Sequence, residues 1–158
     1  MIPEPNMSIM ETTLLTPQKK SVLMMFGSFC RKRAMYNIFL FVGLPGSGKT
    51  YWANKICDIV VDDITDLSQL PTQEELSSYD LGITDVNFCD ENILKKATDI
   101  LTFKYPNHTI FVNYFENNVD KCRANVIHRD DERNVEGTIL RFSKTYNPPE
   151  NATTVWSE

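Results

Sequence analysis

From Gly43 to Thr50 the chain reads Gly-Leu-Pro-Gly-Ser-Gly-Lys-Thr, a fit to the pattern G-x-x-x-x-G-K-[ST]. The pattern carries chemistry because its glycines let successive backbone N–H groups turn inward into a concave anion nest, and the helix that follows adds its positive end. Gly43, Pro45, Gly46, Ser47 and Gly48 form that cradle, Lys49 is spaced to reach β- and γ-phosphates, and Thr50 presents a hydroxyl to a phosphate-bound Mg²⁺. The expected ligand is a nucleoside triphosphate, ATP or GTP, with its magnesium ion.

A phosphate cradle is shared by kinases, GTPases and switches, so the remaining polar positions must choose between them. Asp62 and Asp63 follow the apolar run Ile59-Val60-Val61, and Asp85 follows Leu81-Gly82-Ile83-Thr84. Carboxylates at strand ends stand where open α/β sheets keep their active sites. Asp62 or its neighbour is placed to accept the proton of an attacking hydroxyl, and Asp85 to support the metal. A solvated turn pair and a capping residue are the plain alternatives. Arg129 and Arg133 lie four apart in the charged run Arg-Asp-Asp-Glu-Arg, suited to a cationic lid that neutralises charge during transfer, or else to a solvated face. His108 and His128 have no evident partner and receive no role. Cys30, Cys57, Cys89 and Cys122 form no C-x-x-C pair, which leaves neither a zinc nor a redox motif and predicts reduced, buried thiols.

These residues need a scaffold. Ile38 to Val42 is apolar on every side chain, as a strand buried on both faces of a parallel sheet requires. Lys49 to Cys57 reads as a helix, Ile59 to Val61 as a second strand, Asp80 to Thr84 as a third, and Thr109 to Phe115 as a fourth. Thr72-Gln73-Glu74-Glu75 is a capping box. Between Asp90 and Phe103, Ile93, Leu94, Ala97, Ile100 and Leu101 make one stripe of an amphipathic helix. Val119 to His128 is read as a helix with Val119, Cys122, Val126 and Ile127 inward, and Gly137 to Tyr146 as another with Ile139, Leu140 and Phe142 inward. Pro148-Pro149 ends that helix, and Ala152 to Trp156 is expected to be a closing strand. Alternating strands and helices imply right-handed crossovers, hence a three-layer α/β fold of the P-loop NTPase kind, a parallel sheet of about five strands with helices on both faces.

The 158 residues suffice for one domain. Residues 1–34 carry Lys19, Lys20, Arg31, Lys32 and Arg33 against Glu4 and Glu11, so the acidic excess behind the net charge of -5 belongs to the remainder. They are expected to be a poorly ordered basic N-terminal extension, with the functional domain over 35–158. An acidic total argues against a broad nucleic-acid-coating surface, and no apolar run approaches the length needed to span a bilayer.

Taken together, Gly43 to Trp52, the Asp62-Asp63 pair, Asp85-Val86-Asn87, and Arg129-x-x-x-Arg133-x-Val135 with Ile139-Leu140-Arg141 resemble the P-loop kinases of the polynucleotide kinase and zeta-toxin type. The resemblance covers Asn37 to about Tyr146. It implies an ATP- and Mg²⁺-dependent phosphotransferase acting on a hydroxyl of a nucleic acid or nucleotide, a 5′-hydroxyl or a hydroxymethylated base in phage DNA among them, in a cytoplasmic setting, the host cytoplasm for a phage protein. It further implies Asp62 as general base, Lys49, Arg129 and Arg133 as catalytic cations, and Thr50 with Asp85 at the metal. Two departures stand out: Thr65 occupies the position of the family's polynucleotide-binding arginine, and the stretch between loop and Asp pair is short. The readings kept beside it are a zeta-toxin-like or small-molecule or nucleoside kinase, and a nucleotide-binding regulatory module without transfer.

Overall fold

Every residue of β1, Asn37–Val42, is buried, in keeping with its run of apolar side chains. In the computed structural model, which describes residues 36–129 and 134–156, β1 is one of the two inner strands of a four-stranded parallel sheet. The others are β2 (Ile59–Asp62), β3 (Leu81–Thr84) and β4 (Thr109–Tyr114), in the order β2-β3-β1-β4. Leu40 lies opposite Ile83 on one side and Val112 on the other, and Val61 opposite Ile83. Because all four strands run the same way, their carboxyl ends meet at one edge, and the segments leaving Val42, Asp62, Thr84 and Tyr114 lie together there.

The helices that connect these strands cover both faces. Helix α1, Lys49–Ile56, packs on the face that carries Phe39 and Gly82. Gly82 is a packing requirement, since a Cβ there would stand 2.9 Å from Cys57 Sγ and 3.3 Å from Ala53 Cβ. The short α2, Gln73–Leu76, opens with the expected capping box, Thr72 and Glu75 exchanging hydrogen bonds. Helix α3, Glu91–Lys104, is capped by Asp90, whose carboxylate accepts from the Asn92 and Ile93 amides, and it lies on the opposite face with Ile83. Crossovers of one hand produce this split, because the chain moves outward from β1 to β2 and back again from β2 to β3 and from β3 to β4.

The last two helices, α4 (Val119–Ile127) and α5 (Val135–Ser143), show how far periodicity reaches. Cys122 and Ile139 are fully buried, as expected, but Ile127 is 78% exposed and Leu140 is 43% exposed. Helix α5 also starts two residues before Gly137 and stops at Ser143, short of Tyr146. Tyr146 instead ties two strands together, its buried hydroxyl lying 3.0 Å from Val42 O and 2.6 Å from Phe115 O. Its proton is shared between carbonyls at the ends of β1 and β4. The expected fifth strand is reduced to one parallel bridge, Phe115 to Thr153. Beyond that bridge Val155 N is taken by the Glu116 carboxylate instead of by another strand. The expectations for residues 1–34, and those for Cys30 and Arg133, lie outside the described residues.

Candidate functional site

The Gly43–Thr50 loop leaves β1 at the carboxyl edge and is fastened on three sides. Leu44 is fully buried, and the Ser47 amide donates to its carbonyl at 3.1 Å, closing a tight turn. Gly46 and Gly48 take positive φ of 82° and 95°, the left-handed conformation that turns neighbouring amides toward a common point. On the outer side Asn125 of α4 donates from Nδ2 to Gly46 O at 2.9 Å. A Cβ at Gly46 would lie 2.4 Å from the Cys122 carbonyl. Gly46→Ala therefore combines a disfavoured φ with a backbone clash, and is expected to cost about 2 kcal/mol or more in urea unfolding.

Lys49 is buried and folds back on the loop, donating from Nζ to Gly43 O at 2.7 Å and Leu44 O at 2.9 Å. Burial pulls its ammonium below the ordinary lysine value, while nearby acidic groups, Asp62 and Asp63 among them, act the other way. Thr50, the next residue, donates from its hydroxyl to Asp62 Oδ2 at 3.1 Å. The other oxygen of Asp62 accepts from the hydroxyl of Thr84, which is fully buried at the end of β3. Two strand ends and the first turn of α1 thus hold one carboxylate in place. Asp63 follows with φ 48°, a left-handed turn uncommon for residues other than glycine.

Lys49, Thr50, Asp62, Asp63 and Arg129 line one cavity of about 280 Å³ with Pro45, Gly46 and Gly48. Asp85 does not line it. That residue is buried, caps the 3₁₀ turn Val86–Cys89, and accepts from both the backbone and the side-chain amide of Asn87 at 2.8 and 2.9 Å. Burial pushes its carboxyl above the usual carboxylate range, against those two hydrogen bonds. So the capping alternative describes what Asp85 does in the structure, and the carboxylate beside Thr50 is Asp62. Arg123 is engaged with Glu136 in an ion pair between α4 and α5, and Arg141 lies over the Phe142 ring. Burial also raises the Cys89 and Cys122 thiols to about 11, which keeps them protonated and unreactive near neutral pH.

A second cleft, about 500 Å³, adjoins the first and shares Gly48 and Arg129 with it. Its walls carry Ser47, Tyr51, Trp52, Lys55, Asn125 and Trp156. Trp156 is brought there by Asn125, which donates to the Trp156 carbonyl at 2.6 Å while it holds Gly46. Lys55 Nζ stands 4.5 Å from the centre of the Tyr51 ring. Asn125, Thr84 and Trp156 carry no motif of their own. Asn125 and Gly46 are 79 residues apart in the chain, a separation across which no local pattern operates.

The donor set fits a phosphate-bound Mg²⁺ ion. Among the described residues no three His, Cys, Asp or Glu side chains gather as a complete metal cage, whereas one hydroxyl with one adjacent carboxylate suits an ion that takes its remaining ligands from phosphates and water. Ser47 Oγ, buried and without a hydrogen-bond partner among the described residues, leaves the loop one further unused polar group.

Fold and site together define an α/β protein with a four-stranded parallel sheet, helices on both faces, and a glycine-rich loop with two left-handed glycines at the carboxyl edge beside an acidic strand end. The chain belongs to the family of Uncharacterized protein R277 of Acanthamoeba polyphaga mimivirus, with which it is 30% identical over 117 residues, covering 69% of this chain and 85% of that protein. No family model matches the chain, and no solved structure matches it. Among the described residues no helix is long and apolar enough to cross a membrane.

Proposed function

We propose that the protein is a P-loop kinase that transfers the γ-phosphate of Mg²⁺-ATP to a hydroxyl acceptor. The observation that supports this most is the convergence of Lys49, Thr50, Asp62 and Arg129 on one cavity, because a nest alone serves any nucleotide-binding protein and the carboxylate adds the means to accept a proton. In this reading the loop amides and Lys49 hold the β- and γ-phosphates, and Thr50 with Asp62 holds the metal corner. Bound Mg²⁺ supplies charge neutralisation across the phosphate oxygens. Asp62, fixed by the Thr50 and Thr84 hydroxyls, accepts the acceptor's proton, and Arg129 faces the charge that develops on the transferred group. The protein's contribution is position and electrostatics, which is what phosphoryl transfer asks of it. Arg133 keeps the lid role that the family resemblance implies.

The nucleotide's base belongs in the second cleft, where Trp52 and Trp156 offer indole faces and Lys55 and Arg129 line the walls. These are the two tryptophans of the chain, so selectively excited tryptophan fluorescence reads that cleft. Titration with Mg²⁺-ATP is expected to quench it saturably, Trp156→Phe to remove part of the response, and Mg²⁺-tripolyphosphate, which has no base, to leave it unchanged. The kinase reading is tested by transfer of label from γ-labelled ATP across a panel of hydroxyl acceptors. Absence of both quenching and transfer overturns it.

A further inference from the structure

The apolar stripe of α3 is only half used. Leu94 and Leu101 are buried, but Ile93 and Ile100, on the same stripe, are 40% and 43% exposed. Both line a third cavity, about 340 Å³, together with Ile83 of β3, Leu67 and Ala97. This cavity neighbours the one beside the glycine loop. Asp62 and Asp63 line the loop cavity and Ile64 to Asp66 line this one; Val86 lines the former, and its neighbours Asp85 and Asn87 the latter. Neighbouring residues of the same two segments therefore line both cavities, and the left-handed turn at Asp63 lies where the lining passes from one to the other.

The lining also says what the cavity would accept. Its charged side chains are Asp66, Asp85 and Lys96, two acids against one exposed ammonium, with no arginine. A phosphate or phosphodiester would meet carboxylates there without a compensating guanidinium. The size falls at the lower end of small-molecule sites, which run from about 300 to 1,000 Å³, and most of the walls are apolar, with the Asn87 amide beside the charged groups just named. Resting on the kinase reading above, we propose that this cavity seats the acceptor, and that the acceptor is an uncharged hydroxy compound with an apolar or aromatic body, nucleoside-sized or smaller. Its hydroxyl lies toward Asp62 and Asp63. The acceptor oxygen bonds to the γ-phosphorus as the bond from that phosphorus to the β,γ-bridging oxygen breaks, the hydroxyl proton passes to the Asp62 carboxylate, and ADP leaves.

The test compares three probes that share a 5′-hydroxyl: thymidine, thymidine 3′-monophosphate and a 5′-hydroxyl oligothymidylate. With γ-labelled ATP and Mg²⁺, kcat/KM for thymidine is expected to exceed that for either anionic probe by about tenfold or more. Ala97→Phe, which fills the cavity, is expected to raise the KM for thymidine about tenfold with an unchanged Kd for Mg²⁺-ATP by tryptophan quenching. Ile100→Gln, at an exposed position, is expected to raise it about threefold and guards against a folding defect in the first variant. Preference for an anionic probe, no transfer to thymidine, or a KM that neither variant moves overturns the acceptor assignment while Mg²⁺-ATP still binds. Failure of Mg²⁺-ATP to bind removes the kinase reading itself, and the acceptor assignment with it.

Discussion

Asp62→Asn is expected to slow phosphate transfer from Mg²⁺-ATP by about 10²–10⁴-fold and to leave the fold intact. The amide is isosteric with the carboxylate, and its two ends can still meet the Thr50 and Thr84 hydroxyls that hold Asp62 now, because a hydroxyl both donates and accepts. What the amide cannot do is take a proton from an attacking oxygen. Single-turnover transfer, measured beside tryptophan quenching for nucleotide binding, separates the two consequences. A module that only binds nucleotide shows at most the weaker Mg²⁺-ATP binding that loss of a metal-side carboxylate brings. Undiminished transfer would exclude Asp62 as the base and direct attention to Asp63, which lines the same cavity.

Lys49→Ala is the second large effect: transfer is expected to fall by about 10³-fold or more, since a cation on the transferring phosphates is lost from a site built around it. Stability should change by only about 1 kcal/mol, because two opposing contributions go together. Gly43 O and Leu44 O lose their donor, while a charge that burial disfavours is removed. The two contributions can be told apart by pH. With its folded value lowered from 10.5 by burial, Lys49 has released its proton in the native state at pH values where the unfolded chain still holds it. Native stability due to this group therefore rises with pH between the lowered value and 10.5, and is least below that window. Chemical denaturation at a series of alkaline pH values should show the wild type gaining stability relative to Lys49→Ala through this window.

Local patterns account for most of the scaffold and for part of the site. The eight residues from Gly43 to Thr50 specify their own turn, and the apolar run of β1 specifies its central place. Asp62 is readable as a strand end because strand ends at one edge are where a parallel sheet concentrates polar groups. Its fixing by Thr84 is not, since that contact depends on β2 and β3 being neighbours. The same limit explains Ile127 and Leu140: a helical stripe says which residues share a face, and packing decides which of them find cover. Tyr146 reads as the last turn of a helix until the carbonyls of Val42 and Phe115 are seen to need its hydroxyl. Asp85 has the type and position of a metal carboxylate, yet its oxygen is engaged by Asn87 two residues away.

The central place of β1 also determines when the site can exist during synthesis. Both neighbours of this first strand, β3 and β4, come later in the chain, beginning at Leu81 and Thr109, and the clamp on Gly46 waits for Asn125. A nascent chain that has released its glycine loop from the ribosome still lacks every strand that would hold the loop open. The pocket beside the loop is therefore assembled only after Asn125 has been made, and with so many distant pairings the domain should fold slowly compared with a helical bundle of equal length. A ligand of the loop can stabilise the finished domain but cannot template its early folding.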